Sequence, residues 1–165
     1  MFLSKVVVAD RNHILSIIHF SFNSMILTPD QQQQIIAAIR QAERATSGEI
    51  RVHMEARCPD GDPVKRAIEV FRHLGMHQTN ERNGVLFYVA HDDRKFAVLG
   101  DSGIDAKVPA DFWESTKDLL RQHFAANDYA TGLSQGIERA GQHLKTFFPR
   151  ASNDTNELPD DISFG

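Results

Sequence analysis

Residues 83–105 read NGVLFYVAHDDRKFAVLGDSGID. Val85 to Val89 is apolar without alternation, as a strand covered on both faces would be. Lys95 to Leu99 is a second, tighter run. Only a short polar turn, His91-Asp92-Asp93-Arg94, separates them, so the two strands are expected to form a hairpin, with Asp as a frequent turn residue. If Ala90 pairs with Lys95, Val85 falls near Gly100, Gly84 faces Asp101 and Asn83 faces Ser102. Asp92, Asp93 and Arg94 then lie at the opposite end of the hairpin, roughly 16–20 Å away at the usual rise per strand residue.

Upstream, Glu49 to Ala56 (EIRVHMEA) alternates. Ile50, Val52, Met54 and Ala56 face one way and Arg51, His53 and Glu55 the other, which predicts a half-buried strand. Asp62-Pro63 opens a helix with Val64, Ala67, Ile68, Phe71 and Leu74 on one face, and Gly75 ends it. Strand, helix and strand in succession imply a right-handed parallel crossover, so the strand starting at Glu49 begins at the same sheet edge as Asn83. Further upstream, Thr28-Pro29-Asp30-Gln31 carries a Thr-x-x-Gln capping box with proline at the first helical position. Ile35, Ile36, Ile39 and Ala42 follow at helical spacing, and Thr46-Ser47-Gly48 is read as the stop, with Gly48 as a left-handed cap.

Downstream, Pro109 starts a helix with Phe112, Thr116, Leu119, Leu120 and Phe124 in phase. A last helix runs from Tyr129 to Phe148, with Leu133, Ile137, Ala140, Leu144 and Phe147 inward. Gly132, Gly136 and Gly141 each weaken that helix by up to about 1 kcal/mol relative to alanine, which close packing against a neighbour would explain. The fold class expected is α/β, a small mixed β-sheet sandwiched by helices in the order α-β-α-β-β-α-α. The domain is placed at residues 25–149. Residues 1–24 are expected to be an extra N-terminal segment outside it, because Met25 stands just before the helix start. Residues 150–165 read as an acidic irregular tail.

The chain has 165 residues, 41% hydrophobic and 24% charged, with a formal net charge of -4. That length supports one domain with a substantial core. The stretch from Ala151 onward carries Asp154, Glu157, Asp160 and Asp161 and no base. It accounts for the whole net charge, and the rest of the chain is neutral. Nothing in this balance points to nucleic acid, whose binders present a basic face. Cys58 is the single cysteine, so no intrachain disulfide forms, which fits a reducing compartment. No apolar run reaches the ~20 residues that span a bilayer. The expected location is cytoplasmic, or exported if residues 1–24 act as a signal.

The acids fall into two groups. Asp101 and Asp105, four apart in a glycine-containing loop, have Asn83 across the ladder and Glu49 beside them. Such oxygen donors suit a hard cation, calcium or else magnesium. A strand-ending turn leading into a helix explains the same residues without any ion. Other constellations fail. Cys58 opens CPDGDPVKR, but a cysteine-phosphatase loop needs arginine where Val64 stands, and Pro59 and Pro63 remove cradling amides. His73 and His77 lack further zinc ligands. No phosphate-cradling glycine loop, dinucleotide fingerprint or serine elbow is present, so no nucleotide cofactor is expected.

Taken together, Thr46-Ser47-Gly48-Glu49-Ile50, Asn83-Gly84-Val85-Leu86, Asp93-Arg94 and Gly100 followed by Gly103-Ile104 resemble the TPM domain. Phe124, Asp128-Tyr129, Gly132 and Gly136 agree with it, and the resemblance runs from about Thr28 to Phe148. It implies an α/β sandwich. It also implies kinship with thylakoid-lumen members linked to photosystem II repair and reported as acid phosphatases, with members that bind calcium, and with bacterial forms that are either membrane-anchored or short and soluble. This chain resembles the short soluble kind. Asn83, Asp93, Arg94, Gly100, Asp101 and Gly103 match recurring positions. Two functions stay open. One is a non-catalytic module that binds a divalent cation or a protein partner, in a membrane-associated assembly or a stress response, with the tail Asn153–Gly165 available for docking. The other is a weak, divalent-metal-assisted acid phosphatase, with Asp101 as main ligand and Glu49 or Asp105 as second ligand or general base.

Overall fold

The computed structural model describes residues 26–165 and the backbone of Val6–Ala9. Its strands are β1 (Val6–Ala9), β2 (Glu49–Glu55), β3 (Gly84–Ala90), β4 (Lys95–Gly100) and β5 (Ile162–Phe164). Its helices are α1 (Pro29–Glu43), α2 (Pro63–His73), the single turn α3 (Ser102–Asp105), α4 (Ala110–Ala125) and α5 (Tyr129–Phe147), with a short 3-10 turn at Met76–Gln78. The sheet order is β1-β4-β3-β2-β5.

The hairpin forms in the expected register, with Ala90 opposite Lys95 and Val85 opposite Gly100. Strands β2 and β3 run parallel, with Glu49 opposite Gly84, so the crossover through α2 is confirmed. Helix α1 starts at its capping box: Thr28 Oγ1 accepts from the Gln31 N–H at 3.2 Å, and Gln31 Oε1 accepts from the Thr28 N–H at 2.8 Å. Asp62 caps α2 by accepting from the Val64 and Lys65 N–H groups. Gly75 ends it in the left-handed region at φ 71°.

Helices α1, α4 and α5 cover one face of the sheet, packing Ile35, Ile39, Trp113, Leu120, Leu133 and Ile137 on Val52, Phe87 and Val98. Helix α2 covers part of the other face, where Phe71 and Val70 meet Leu86, Tyr88 and Leu99. Helices α1 and α5 touch where Gly141 faces Ala42; a Cβ at position 141 would lie 2.6 Å from that of Ala42. Close packing is therefore what this glycine supplies.

Four expectations change. Helix α1 stops at Glu43 with Arg44 as a right-handed cap, and Gly48 has no positive φ. Gly48 is kept small by packing instead, since a Cβ there would meet Leu144 Cδ1 at 3.0 Å. Part of the segment expected outside the domain joins the sheet, because Val6–Ala9 pairs antiparallel with β4 from Leu99 to Phe96. The remainder of residues 1–24 lies outside the described residues. The tail is irregular only to Asp161; β5 then pairs in parallel with β2, Val52 opposite Ile162. Strand β2 is consequently interior, and it is buried on both faces rather than one.

Candidate functional site

The edge where β2 and β3 begin and β4 ends collects the expected side chains from three strands. Asn83 lies just before β3, and its C=O accepts from the Glu49 N–H at 3.3 Å. The Asp101 N–H donates to Gly84 O at 2.9 Å, which continues the ladder one step past β4. The chain then folds back: the Gly103 N–H donates to Arg82 O at 2.9 Å. A Cβ on Gly103 would sit 2.2 Å from Glu81 O, so only glycine permits this approach.

Asp101 is fully buried and its carboxylate is engaged. Arg82 Nε and an Nη each donate to one of its oxygens at 2.7 Å, a bidentate pair, and the Ser102 N–H donates to it at 2.7 Å as the cap of α3. Arg82 holds a left-handed backbone at φ 52°, which turns its guanidinium toward Asp101. Charge-assisted bonds of this kind are worth roughly 1.5–3 kcal/mol. Asp101 is thus the strand-ending, helix-capping residue that the simpler reading of the loop described. Asp105 is exposed on α3.

Asn83 is buried beneath a small polar basin. Its amide donates to Ser47 Oγ at 3.2 Å and to Glu81 Oε2 at 3.4 Å, and Ser47 Oγ itself donates to Glu81. Asn83 Oδ1 has no hydrogen-bond partner among the described residues. A buried acceptor without a donor is costly. Ser47, Asn80, Glu81, Asn153, Asp154 and Glu157 line a cavity of about 340 Å³ at this edge. Three of those residues are carboxylates. The Asn80 N–H donates to Glu157 at 3.1 Å, and Asp154 pairs with Arg150 at 3.2 Å.

Glu49 points not to Asp101 but to the tail. It accepts from the Glu157 N–H at 2.8 Å and the Leu158 N–H at 3.2 Å. Burial pushes its pKa up to about 7, although those two amides oppose the shift. Along the same face of β2, Arg51 donates to Pro159 O at 3.0 Å and His53 Nδ1 meets Ser163 Oγ at 2.8 Å. Glu55 accepts from Arg66 and, at 2.6 Å, from the Tyr88 hydroxyl. Behind them Glu43 accepts from the Ile50 N–H at 2.7 Å; burial, reinforced by the Asp160 carboxyl, pushes its pKa up to about 9.

At the opposite end of the hairpin, Asp93 accepts from the Cys58 N–H at 2.7 Å, tying the turn to the loop after β2 rather than to its own backbone. Arg94 takes a left-handed conformation at φ 53°. Among the described residues, no three His, Cys, Asp or Glu side chains converge closely enough to hold a metal ion as they stand. The residues that the sequence did not single out are Ser47, Glu81 and Arg82. The signal for Arg82 lay in the register: a buried aspartate that faces the start of β3 needs a cation, and Arg82 is the nearest one in the chain.

The sheet and its helical layers define a small α/β sandwich domain, with a polar basin at the edge where three strands and the tail meet. The TPM domain model matches residues 22–143. The chain belongs to the TPM domain family. It is similar to BA42, a protein of the psychrophilic bacterium Bizionia argentinensis, at 42% identity over 88% of this chain and 99% of that one, with a TM-score of 0.81. The fold is shared with the N-terminal domain of cg2496 from Corynebacterium glutamicum, at 13% identity over 92% of this chain and 93% of that one, TM-score 0.59. It is shared too with an N-terminal domain from P. gingivalis, at 20% identity over 78% and 84%, TM-score 0.59. No curated protein matches the chain. No helix among the described residues is long and apolar enough to cross a membrane.

Proposed function

We propose that this chain is a non-catalytic TPM module that takes a divalent cation, calcium before magnesium, at the edge basin. The observation that carries the reading is the cavity lined by Glu81, Asp154 and Glu157, beside which buried Asn83, bonded through Nδ2 to Ser47 and Glu81, keeps an Oδ1 without a partner among the described residues. Hard cations prefer such a mixture of carboxylate and neutral oxygens, and calcium tolerates its irregular geometry better than magnesium. Of the four ligands expected from the sequence, Asn83 keeps free acceptor capacity. Asp101 and Glu49 serve the ion indirectly, fixing the edge through Arg82 and the tail amides. Asp105 adds only negative charge nearby.

The alternative, hydrolysis of phosphate monoesters, is the weaker reading. Asp101 is held by a guanidinium, and Glu49, although its pKa is raised to about 7, spends both carboxylate oxygens on the Glu157 and Leu158 amides rather than on an open face of the cavity. Two measurements separate the readings. Calorimetric titration of calcium should give a weak site, with Kd of about 10⁻⁴–10⁻³ M as in open modules, which Asn83→Ala with Glu81→Gln removes. Aryl-phosphate hydrolysis should equal that of a mock preparation with or without calcium. Heat of binding unchanged in the double variant, or hydrolysis abolished by Asp101→Asn, would reverse the assignment.

A further inference from the structure

The two walls of the basin come from different parts of the chain. Ser47, Asn80 and Glu81 precede β2 and β3, whereas Asn153, Asp154 and Glu157 belong to the tail. The first wall is tied to the sheet on every side. The Glu49 N–H donates to Asn83 O, the Gly103 N–H to Arg82 O, and Arg82 grips Asp101 with two bonds. The second wall is held at its ends. A bridge between Thr46 and Pro149 anchors one end. The Glu157 and Leu158 N–H groups on Glu49, and β5 on β2 beyond them, anchor the other. Between these anchors the bonds of residues 151–156 stay within the tail: the Asp154 N–H to Ala151 O at 3.1 Å, Asn156 to Asp160 at 2.7 Å, and Asp154 to Arg150 at 3.2 Å.

Charge sets the walls against each other. Glu81 stands on the fixed wall and Asp154 and Glu157 on the tail, and among the described residues no lysine or arginine lines the cavity. Arg150 offsets one of the three charges through its pair with Asp154. The crowding is felt at Glu49: burial is the main reason that its pKa is raised, and the charges of Glu157 and Asp154 add to the rise. The walls also stand apart. The cavity between them measures about 340 Å³, and its carboxylates do not converge as they stand. An ion that needs oxygen ligands at about 2.3–2.6 Å therefore has to draw the walls together, and the wall with fewer ties is the tail.

Resting on the cation reading above, we infer that the ion is a clasp between Glu81 and the tail carboxylates of Asp154 and Glu157, so that cation binding and the docking of β5 on β2 reinforce each other. The coupling is reciprocal: a change that loosens β5 weakens the ion, and removing the ion loosens β5 by the same factor. Without the ion, repulsion across the basin works against the tail. The cation thereby controls how firmly the tail covers Glu49, Arg51 and His53, the three residues of β2 that it hydrogen-bonds.

The test combines calcium titration of the full chain with amide hydrogen exchange, both read residue by residue by NMR. The reporter is the Gly165 N–H, which donates to Met54 O at 3.0 Å. Met54 lies five residues along β2 from Glu49, roughly 16 Å from the basin edge, so a bound ion cannot touch it. Saturating calcium should slow exchange at Gly165 about tenfold. Ile162→Asn removes a buried side chain of β5 that does not line the basin. It should weaken calcium severalfold, with the amides of α4 and α5 unshifted to show that the domain stays folded. If calcium shifts the amides of Ser47, Glu81 and Asn83 but leaves Gly165 exchange unchanged, the clasp is overturned while the cation site stands. Equal calcium affinity in Ile162→Asn and the parent overturns it in the same way. If calcium shifts no amide at the basin, the cation reading fails and the clasp fails with it.

Discussion

Asp101 shows how a single buried carboxylate can look like a ligand in sequence and act as a strut in structure. Its two oxygens face Arg82, and it also caps α3. Replacing it with asparagine removes the charge while leaving Arg82 half-exposed to water, so the cost is expected to be about 1–3 kcal/mol in urea unfolding rather than global collapse. Calcium affinity at the basin should change little beside that loss. Glu43 carries a different prediction. Its pKa rises from 4.5 to about 9 on folding, so the folded chain holds a proton that the unfolded chain releases. Its contribution is complete below pH 4.5 and is lost progressively as pH climbs toward 9, with a slope of at most about 1.4 kcal/mol per pH unit. Glu49, raised to about 7, adds the same sign over the lower part of that range. Glu43→Gln keeps an acceptor for the Ile50 N–H and offers Asp160 a donor. Urea midpoints measured from pH 5 to 9 should fall for the parent and fall less for the variant; parallel curves would show that Glu43 does not titrate as described. The register already placed Asn83, Gly84 and Asp101 together, because period-2 patterning fixes facing positions. It could not reveal that Asp101 meets Arg82, since which side chain closes on which depends on the left-handed turn at Arg82.

At the scale of elements, β2 is the departure that matters most. Alternation predicted a half-buried strand, and every residue of it is buried. The polar row Glu49, Arg51, His53 and Glu55 looked like a solvent face. The tail covers or hydrogen-bonds much of that row, yet its own sequence has too few apolar residues to announce a strand. Only Ile162 of β5 is buried, and three residues leave no period to read. Deleting residues 154–165 should therefore cost at least about 2 kcal/mol, from the Ile162 burial and the stranded polar row. For a domain of this size that lowers Tm by about 5 °C or more by calorimetry; an unchanged Tm would mean that the tail does not dock. The α1–α5 contact makes a second prediction. Gly141→Ala gains up to about 1 kcal/mol of helix propensity, but its Cβ would stand 2.6 Å from that of Ala42. Two helix backbones cannot separate without opening the core, so the overpacking cost of about 1–3 kcal/mol should prevail and the variant should be less stable. The strong helix periods and the hairpin were legible because local pattern decides them; the edge strands were not, because neighbours decide those.

For the whole molecule, the two ends of one sheet carry opposite chemistry. Oxygen donors and carboxylates surround the basin where β2 and β3 begin, and guanidinium groups over an aromatic pit stand where they end. Family membership fixes the sandwich, and the acid-lined cavity beside buried Asn83 is where the proposed cation would sit. An ion that binds only the folded chain stabilises it by mass action, about 2.7 kcal/mol at a hundredfold excess over Kd. The most direct measurement is a residue-resolved NMR titration of the full chain with calcium. Saturable shifts confined to the amides of Ser47, Glu81, Asn83 and residues 153–157 are expected, together with a downfield change at the Asn83 side-chain carbonyl. Amides at that edge that stay fixed up to about 10 mM calcium, well above the weakest modular sites, would contradict a cation at the basin.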